Sequence, residues 1–244
     1  MRASPIALQP SLVTCQYPVE ARRFYSLEFF RGTTTIFYFT DINDPSLQMM
    51  LDWVSEGIGE KHMVLDLEWK AFPGYYDDQK ASLFQIGTSK RVVIIRYAQQ
   101  ESMGTQHEVL QNFLLSHKFV GKGIGNDLIK LRERFNINFS GNVDDFERMH
   151  MRKYASNKSF NSLIEAYAGA PTAMYKDKSV TFSNWNAPTL SYQQVLYSVY
   201  DVVSLYQAYI GAQVIRTQVM GSASQLHHTE YLNVQTADKS SFMM

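Results

Sequence analysis

The chain is poor in cysteine, in net charge and in long apolar runs. A single cysteine, Cys15, leaves no intramolecular disulfide to form, and a reducing compartment is the expectation. Lys and Arg number 23 and Asp and Glu number 23, so the formal charge is zero. A protein that grips nucleic acid through a broad face carries a basic excess, so this balance speaks against such a grip. It leaves room for a local basic groove beside an acidic centre. No apolar run approaches the ~20 residues of a membrane-spanning helix. The N-terminus lacks the basic start and apolar stretch of a secretory signal. An intracellular protein, nuclear or cytoplasmic, with no membrane contact is expected. Internal repeats and low-complexity tracts are also missing.

What is present suits one ordinary globular domain, since 45% of the 244 residues are hydrophobic and 19% charged. Pro5, Pro10 and Pro18 punctuate the beginning, and residues 1–32 read as an irregular extension to a domain over 33–219. Past Met220 no hydrophobic periodicity is visible, so 220–244 reads as a flexible tail. The β-branched and aromatic run Thr34–Phe39 predicts a strand. Asp44-Pro45 opens a helix, with Leu47, Met50, Leu51 and Val54 on its apolar side. Three strands follow at His62–Trp69, Ala81–Gly87 and Arg91–Tyr97, with connections short enough for antiparallel neighbours.

Beyond them the pattern alternates. Helix His107–Leu115, strand Lys118–Val120, helix Asp127–Phe135, strand Asn142–Phe146 and helix Phe160–Tyr167 precede a long helix from near Ser191. Ser191 and Gln194 make a capping box there, and Val195, Val199, Val202, Tyr206 and Ile210 form the apolar stripe. The fold class is α/β: a mixed sheet with antiparallel first strands, flanked by helices.

Four carboxylates stand out against this frame. In Val64-Leu65-Asp66-Leu67-Glu68-Trp69 the acids are two apart, so on a strand they point to one face. Two acids on an otherwise apolar strand repel and lose hydration, which a hard divalent cation relieves; a solvated edge strand is the plain alternative. Asp127 opens a helix after the run Gly121-Lys122-Gly123-Ile124-Gly125-Asn126. An acid in a first helical turn is often simply a partner for the helix dipole. The glycines imitate a dinucleotide loop, but Asn126 stands where the third glycine belongs. On the last helix, Tyr197 and Asp201 are four apart and share a face, and Asp201 lies among Val199, Val202, Val203 and Leu205. A carboxylate on a buried helix face is uncommon unless it is paired or bound to metal. Four acids balance two divalent cations, as in two-metal sites with ions about 3.5–4 Å apart, and oxygen-only ligands favour magnesium or manganese over zinc.

These segments, in this order, resemble the three motifs of the DEDD 3′→5′ exonucleases: Asp66-x-Glu68, then Asp127, then Tyr197-x-x-x-Asp201. The nearest likeness is to exonuclease domains of the Werner type. Ser82-Leu83-Phe84-Gln85-Ile86-Gly87, Ser183-Asn184-Trp185 and Leu190-Ser191-x-x-Gln194-x-x-Tyr197 add to it, and the likeness runs from about Ile36 to about Gln213. One branch of the family has His five residues before the last Asp, where this chain has Leu196; the other has Tyr four before it, as Tyr197 is here. Ser198 and Tyr200 depart from the small residues usual at their positions.

The resemblance implies a ribonuclease-H-like fold and a nucleic-acid 3′ end, RNA or DNA, as substrate. It implies one metal ion held by Asp66, Glu68 and Asp201, and a second by Asp66 with Asp127 acting through water. It implies Tyr197 orienting the attacking water, and nucleoside 5′-monophosphates as products. Catalytic candidates are therefore Asp66, Glu68, Asp127, Tyr197 and Asp201, with the four acids as metal ligands. The rival from another class is a domain that binds nucleic acid or serves as a scaffold without turnover; loss of any of the acids would favour it, and all four are present. Lys122, Lys176 and Lys178 read as solvated lysines more readily than as phosphate contacts. His62, His150, His227-His228 and Trp69 read as structural or surface positions.

Overall fold

A computed structural model describes residues 22–29, 32–39, 42, 44–58, 62–69, 81–97, 106–135, 142–150, 159–168 and 178–240. Seven strands form one sheet: β1 Arg22–Phe29, β2 Gly32–Phe39, β3 Met63–Glu68, β4 Leu83–Gly87, β5 Arg91–Arg96, β6 Phe119–Gly121 and β7 Val143–Asp145. Their spatial order is β1-β2-β5-β4-β3-β6-β7. β3, β4 and β5 pair antiparallel, whereas β6 joins β3 and β7 joins β6 in parallel. On the other side β2 joins β5 in parallel and pairs antiparallel with β1. The antiparallel β3, β4 and β5 followed by parallel β6 and β7 are the expected ribonuclease-H-like arrangement.

Strand alternation divides the core in two. Val64, Leu83, Val92, Ile94, Ile36 and Val120 point to one face, which is covered by helices α5 (Phe160–Ala168) and α7 (Tyr192–Ser240). Leu65, Leu67, Phe84, Ile86, Val93 and Ile95 point to the other, against α1 (Leu47–Ser55), α2 (Gln106–Ser116) and α3 (Gly125–Phe135). Asp66 and Glu68 continue the alternation begun by Val64, so they lie on the α7 face. Two short helices, α4 (Phe146–His150) and α6 (Lys178–Thr181), complete the fold. Among the described residues no helix is long and apolar enough to cross a membrane.

The start of α7 is held firmly. Ser191 N–H donates to Gln194 Oε1 at 2.9 Å and Gln194 N–H to Ser191 Oγ at 3.2 Å, so the capping box forms as expected. Gln194 Nε2 also donates to Ser183 Oγ and to the Asn184 carbonyl. Buried Arg96 on β5 donates to the carbonyls of Ala187 and Pro188, and the Ser82 hydroxyl bonds Asn186. Trp185, fully buried, donates its indole N–H to the Thr181 carbonyl at 3.2 Å. These bonds tie the segment before α7 to the sheet and thereby set the helix over β3.

Several boundaries differ from the sequence reading. Arg22–Phe29, expected to be irregular, is a strand in register from Arg22↔Phe39 to Phe29↔Gly32. A hairpin partner, not its own alternation, makes it a strand. The helix near residue 45 starts at Leu47, with Asp44 Oδ1 accepting from the N–H and hydroxyl of Ser46. α7 continues to Ser240 through the segment expected to be a flexible tail. No proline follows Pro188, so nothing in the backbone stops the helix, although Val214 and Ile215 are exposed. Ile210, expected on the buried stripe, is exposed, while Val195, Val199 and Val202 are buried. Cys15 and Lys176 lie outside the described residues, as do the side chains of His150, His227 and His228.

At Gly211 α7 approaches α5 closely, because a Cβ there would collide with the backbone carbonyl oxygen of Tyr167. Alanine for glycine within a helix ordinarily gains about 1 kcal/mol from propensity. Here the obstacle is backbone, which cannot swing aside, and overpacking costs about 1–3 kcal/mol. Gly211→Ala is therefore expected to lower stability in denaturant melts; an unchanged or raised midpoint would contradict the close packing.

Candidate active site

Asp66 and Glu68 stand on β3, and Asp201 comes down from α7 onto the same face. One carboxylate oxygen from each lies within 4.8 Å of the others. Asp201 is 5% exposed, and Asp66 and Glu68 are half-buried. The strand alternation and the placement of α7 bring together acids separated by more than 130 positions.

Asp127 sits in the first turn of α3, which follows β6 through a turn containing Gly123 at φ +63°. That left-handed conformation suits a residue without Cβ. Asp127 is buried, and burial pushes its pKa well above the usual carboxylate range. The charge of Asp66 pushes it further and Asp145 adds a smaller push, while hydrogen bonds from its own backbone and that of Leu67 act the other way. The bond to Leu67 sets Asp127 beside β3, next to Asp66 but outside the close trio. So the structure gathers Asp66, Glu68 and Asp201 tightly and puts Asp127 at their flank.

Tyr197 lies one turn before Asp201 and is buried. Its hydroxyl oxygen accepts a hydrogen bond from Thr181 Oγ1 at 3.0 Å, and its ring meets Trp185 at 5.9 Å between centroids, tilted by 55°. That hydrogen bond and that ring contact hold the phenol in place beside the acids. Both departures from the usual helix pattern are accommodated: Ser198 donates to the Val195 carbonyl at 2.9 Å, and Tyr200 packs edge-on against Phe160.

The donor set fits a hard divalent cation. It offers carboxylate oxygens only, and it is crowded enough that repulsion and burial raise the Asp127 pKa, which a bound cation would relieve. A cavity of about 130 Å³ opens on Asp66 and Asp201 and is completed by Lys122, Phe160 and Leu205.

Two residues near the acids were not placed in the site by pattern. Gln85, directly opposite Asp66 on β4, is fully buried, and neither its amide nitrogen nor its oxygen has a hydrogen-bond partner. Only the register reveals it. Lys122, read as a solvated lysine, instead lines the cavity. His62 bonds Tyr209 Oη through Nδ1 and Asp144 through Nε2, each at 2.9 Å, which is a structural role joining β3, β7 and α7. Leu67 is buried on the opposite face, and Trp69 packs at that core's edge. Lys178, which opens α6, is exposed.

Residues 46–210 match the 3′–5′ exonuclease family over most of the chain. The chain belongs to that family. The exonuclease domain is similar in fold to the Nibbler exonuclease domain of Aedes aegypti, at 19% identity and TM-score 0.58, over 70% of this chain and 84% of that one. It also resembles Escherichia coli RNase D, described as an exoribonuclease involved in structured RNA processing, at 19% identity and TM-score 0.57. That match covers 72% of this chain and 45% of RNase D. The catalytic core of Trypanosoma brucei RRP6 matches at 16% identity and TM-score 0.56, over 75% of this chain and 48% of that one. The exonuclease domain thus spans about half the length of the last two. No curated protein matches its sequence significantly. The family implies a nucleic-acid substrate, and the acid trio offers a place for a metal ion.

Proposed function

We propose that this protein is a metal-dependent 3′→5′ exonuclease of the tyrosine branch, of the Werner type. It would release nucleoside 5′-monophosphates from the 3′ end of RNA or DNA. The observation that carries this is the convergence of Asp66, Glu68 and Asp201 within 4.8 Å in a chain of the exonuclease family. The nuclease unit is taken as residues 33–219, to which β1 adds an edge strand.

In this reading Asp66, Glu68 and Asp201 would hold one Mg²⁺ or Mn²⁺ ion, and Asp66 would hold a second, with Asp127 contributing through water. Bound divalent cations lower the pKa of the attacking water and offset charge on the phosphate. The chain's own part is placement. β3 and α7 fix three carboxylates before substrate arrives, so little reorganisation accompanies the reaction. Tyr197, held by Thr181, hydrogen-bonds the water and aims it at the terminal phosphorus, and Phe160 and Leu205 narrow the cavity around the reacting end.

The test is a panel of matched RNA and DNA strands, single and duplex, labelled at the 5′ end, with magnesium, manganese or chelator. Progressive shortening from the 3′ end with either metal and none in chelator is expected. Binding without shortening in every arm would favour the non-catalytic scaffold instead. A 3′-phosphate should block or strongly slow the reaction, because it puts extra bulk and negative charge on the terminal sugar beside the acids, although the leaving group, the penultimate 3′ oxygen, is unchanged. Early loss of the 5′ label as mononucleotide would show the direction to be wrong.

A further inference from the structure

Lys122 follows β6, on the turn into α3, and its side chain reaches the cavity that Asp66 and Asp201 open upon. Its Nζ lies 2.6 Å from Glu147 Oε1 in the first turn of α4. The pair is neither at the open surface nor sealed in the core: the two side chains are 22% and 33% exposed. Among the described residues lining this cavity Lys122 is the only cation.

With 23 basic and 23 acidic residues the chain has no basic excess to draw in a polyanion, so single cations near the acids matter more than they would in a basic protein. A lysine ammonium binds phosphate as a point charge, and a carboxylate oxygen at 2.6 Å makes the same charge-assisted contact that a phosphate oxygen would make. Three N–H donors let the ammonium engage a second anion, but the Glu147 charge opposes a phosphate brought to that spot. Building on the exonuclease reading, we propose that Lys122 holds a backbone phosphate of the 3′-terminal segment of the substrate strand, and that Glu147 competes for this lysine and weakens the hold. Lys122 is then a substrate-positioning residue that keeps the strand end seated over the acids, and Glu147 sets how readily the strand leaves between cleavages.

The test measures binding apart from turnover. Anisotropy of a 5′-fluorescent single-stranded oligonucleotide is followed in chelator across a salt series, for the wild type, Lys122→Met, Lys122→Arg and Glu147→Gln. Loss of one charge-assisted phosphate contact should raise Kd about tenfold in Lys122→Met. The slope of log Kd against log salt should fall by about 0.7, the value for one phosphate on a single strand. Lys122→Arg should restore most of both, and Glu147→Gln should tighten binding a few-fold. Opposite shifts in Lys122→Met and Glu147→Gln are the signature, because a merely structural ion pair would move both the same way. Thermal melts accompany each variant, and if Lys122→Met fails to fold, the arginine and Glu147→Gln arms carry the test. Unchanged affinity and slope, shifts of one sign, or no binding by the wild type in chelator would overturn the proposal. Wild-type turnover with magnesium is assayed separately: binding that depends on Lys122 without turnover would leave this inference standing and defeat the nuclease reading alone.

Discussion

Asp201→Asn is expected to abolish turnover, and Tyr197→Phe to lower it by about 10²–10⁴-fold with metal binding intact. The two changes remove different things. Asp201 supplies one of three oxygens that meet within 4.8 Å, so the amide takes a unit of negative charge out of the trio. Metal affinity should collapse along with kcat, and Asp66→Asn should behave alike. Tyr197→Phe deletes one hydroxyl and keeps the buried ring against Trp185 and all four carboxylates in place. If that hydroxyl aims the attacking water, the loss belongs to the transition state and appears in kcat, with KM little changed. Deleting it also leaves Thr181 Oγ1 without the acceptor it has at 3.0 Å, so a small loss of stability is expected too. Near-wild-type kcat in Tyr197→Phe beside a dead Asp201→Asn would keep the acid site and remove the tyrosine from the mechanism.

Magnesium or manganese is expected to stabilise the fold, by about 2.7 kcal/mol at a hundredfold excess over the dissociation constant. The reason is visible at Asp127. Burial, and then the charge of Asp66, raise its pKa, so the folded state holds this proton more tightly than the unfolded chain does. The stability linked to that proton is fully present below the unfolded pKa of about 3.9 and is lost as pH rises through the raised folded value. In chelator, melting temperature should therefore fall with rising pH across that window, and saturating metal should flatten the dependence. Asp127→Asn replaces the carboxyl with a neutral group of the same shape. In chelator it should melt higher than the wild type, and the difference should widen as pH rises. The same variant should lose activity with metal present, which separates a functional cost from a structural gain. Identical midpoints in metal and chelator would count against the site; a constant difference across pH would remove Asp127 as the source of strain.

The elements that carry strong local periodicity were legible in the amino-acid sequence. β3, β4 and β5 each hold an apolar run bounded by turn residues, and the Ser191–Gln194 box marks the start of α7 whatever packs against it. The acids were legible for the same reason: i and i+2 on a strand, and i and i+4 on a helix, put side chains on one face before any tertiary contact is made. Ser191 and Gln194 satisfy each other within a single turn, and no distant residue is needed to specify the cap.

What depended on residues far apart in the chain was decided by the tertiary structure alone. Arg22–Phe29 is a strand because β2 offers it a complete partner edge. Gln85 faces Asp66 only through the β3–β4 register. Arg96 is buried because it meets carbonyls 91 and 92 residues away. Lys122 looked like any surface lysine until β6 and α4 placed it between a cavity and Glu147. The raised pKa of Asp127 likewise needs the burial and the nearby Asp66 charge that only the assembled sheet provides. Local pattern specifies which face a side chain takes; which other groups share that face, and how much water they lose, is set by long-range packing.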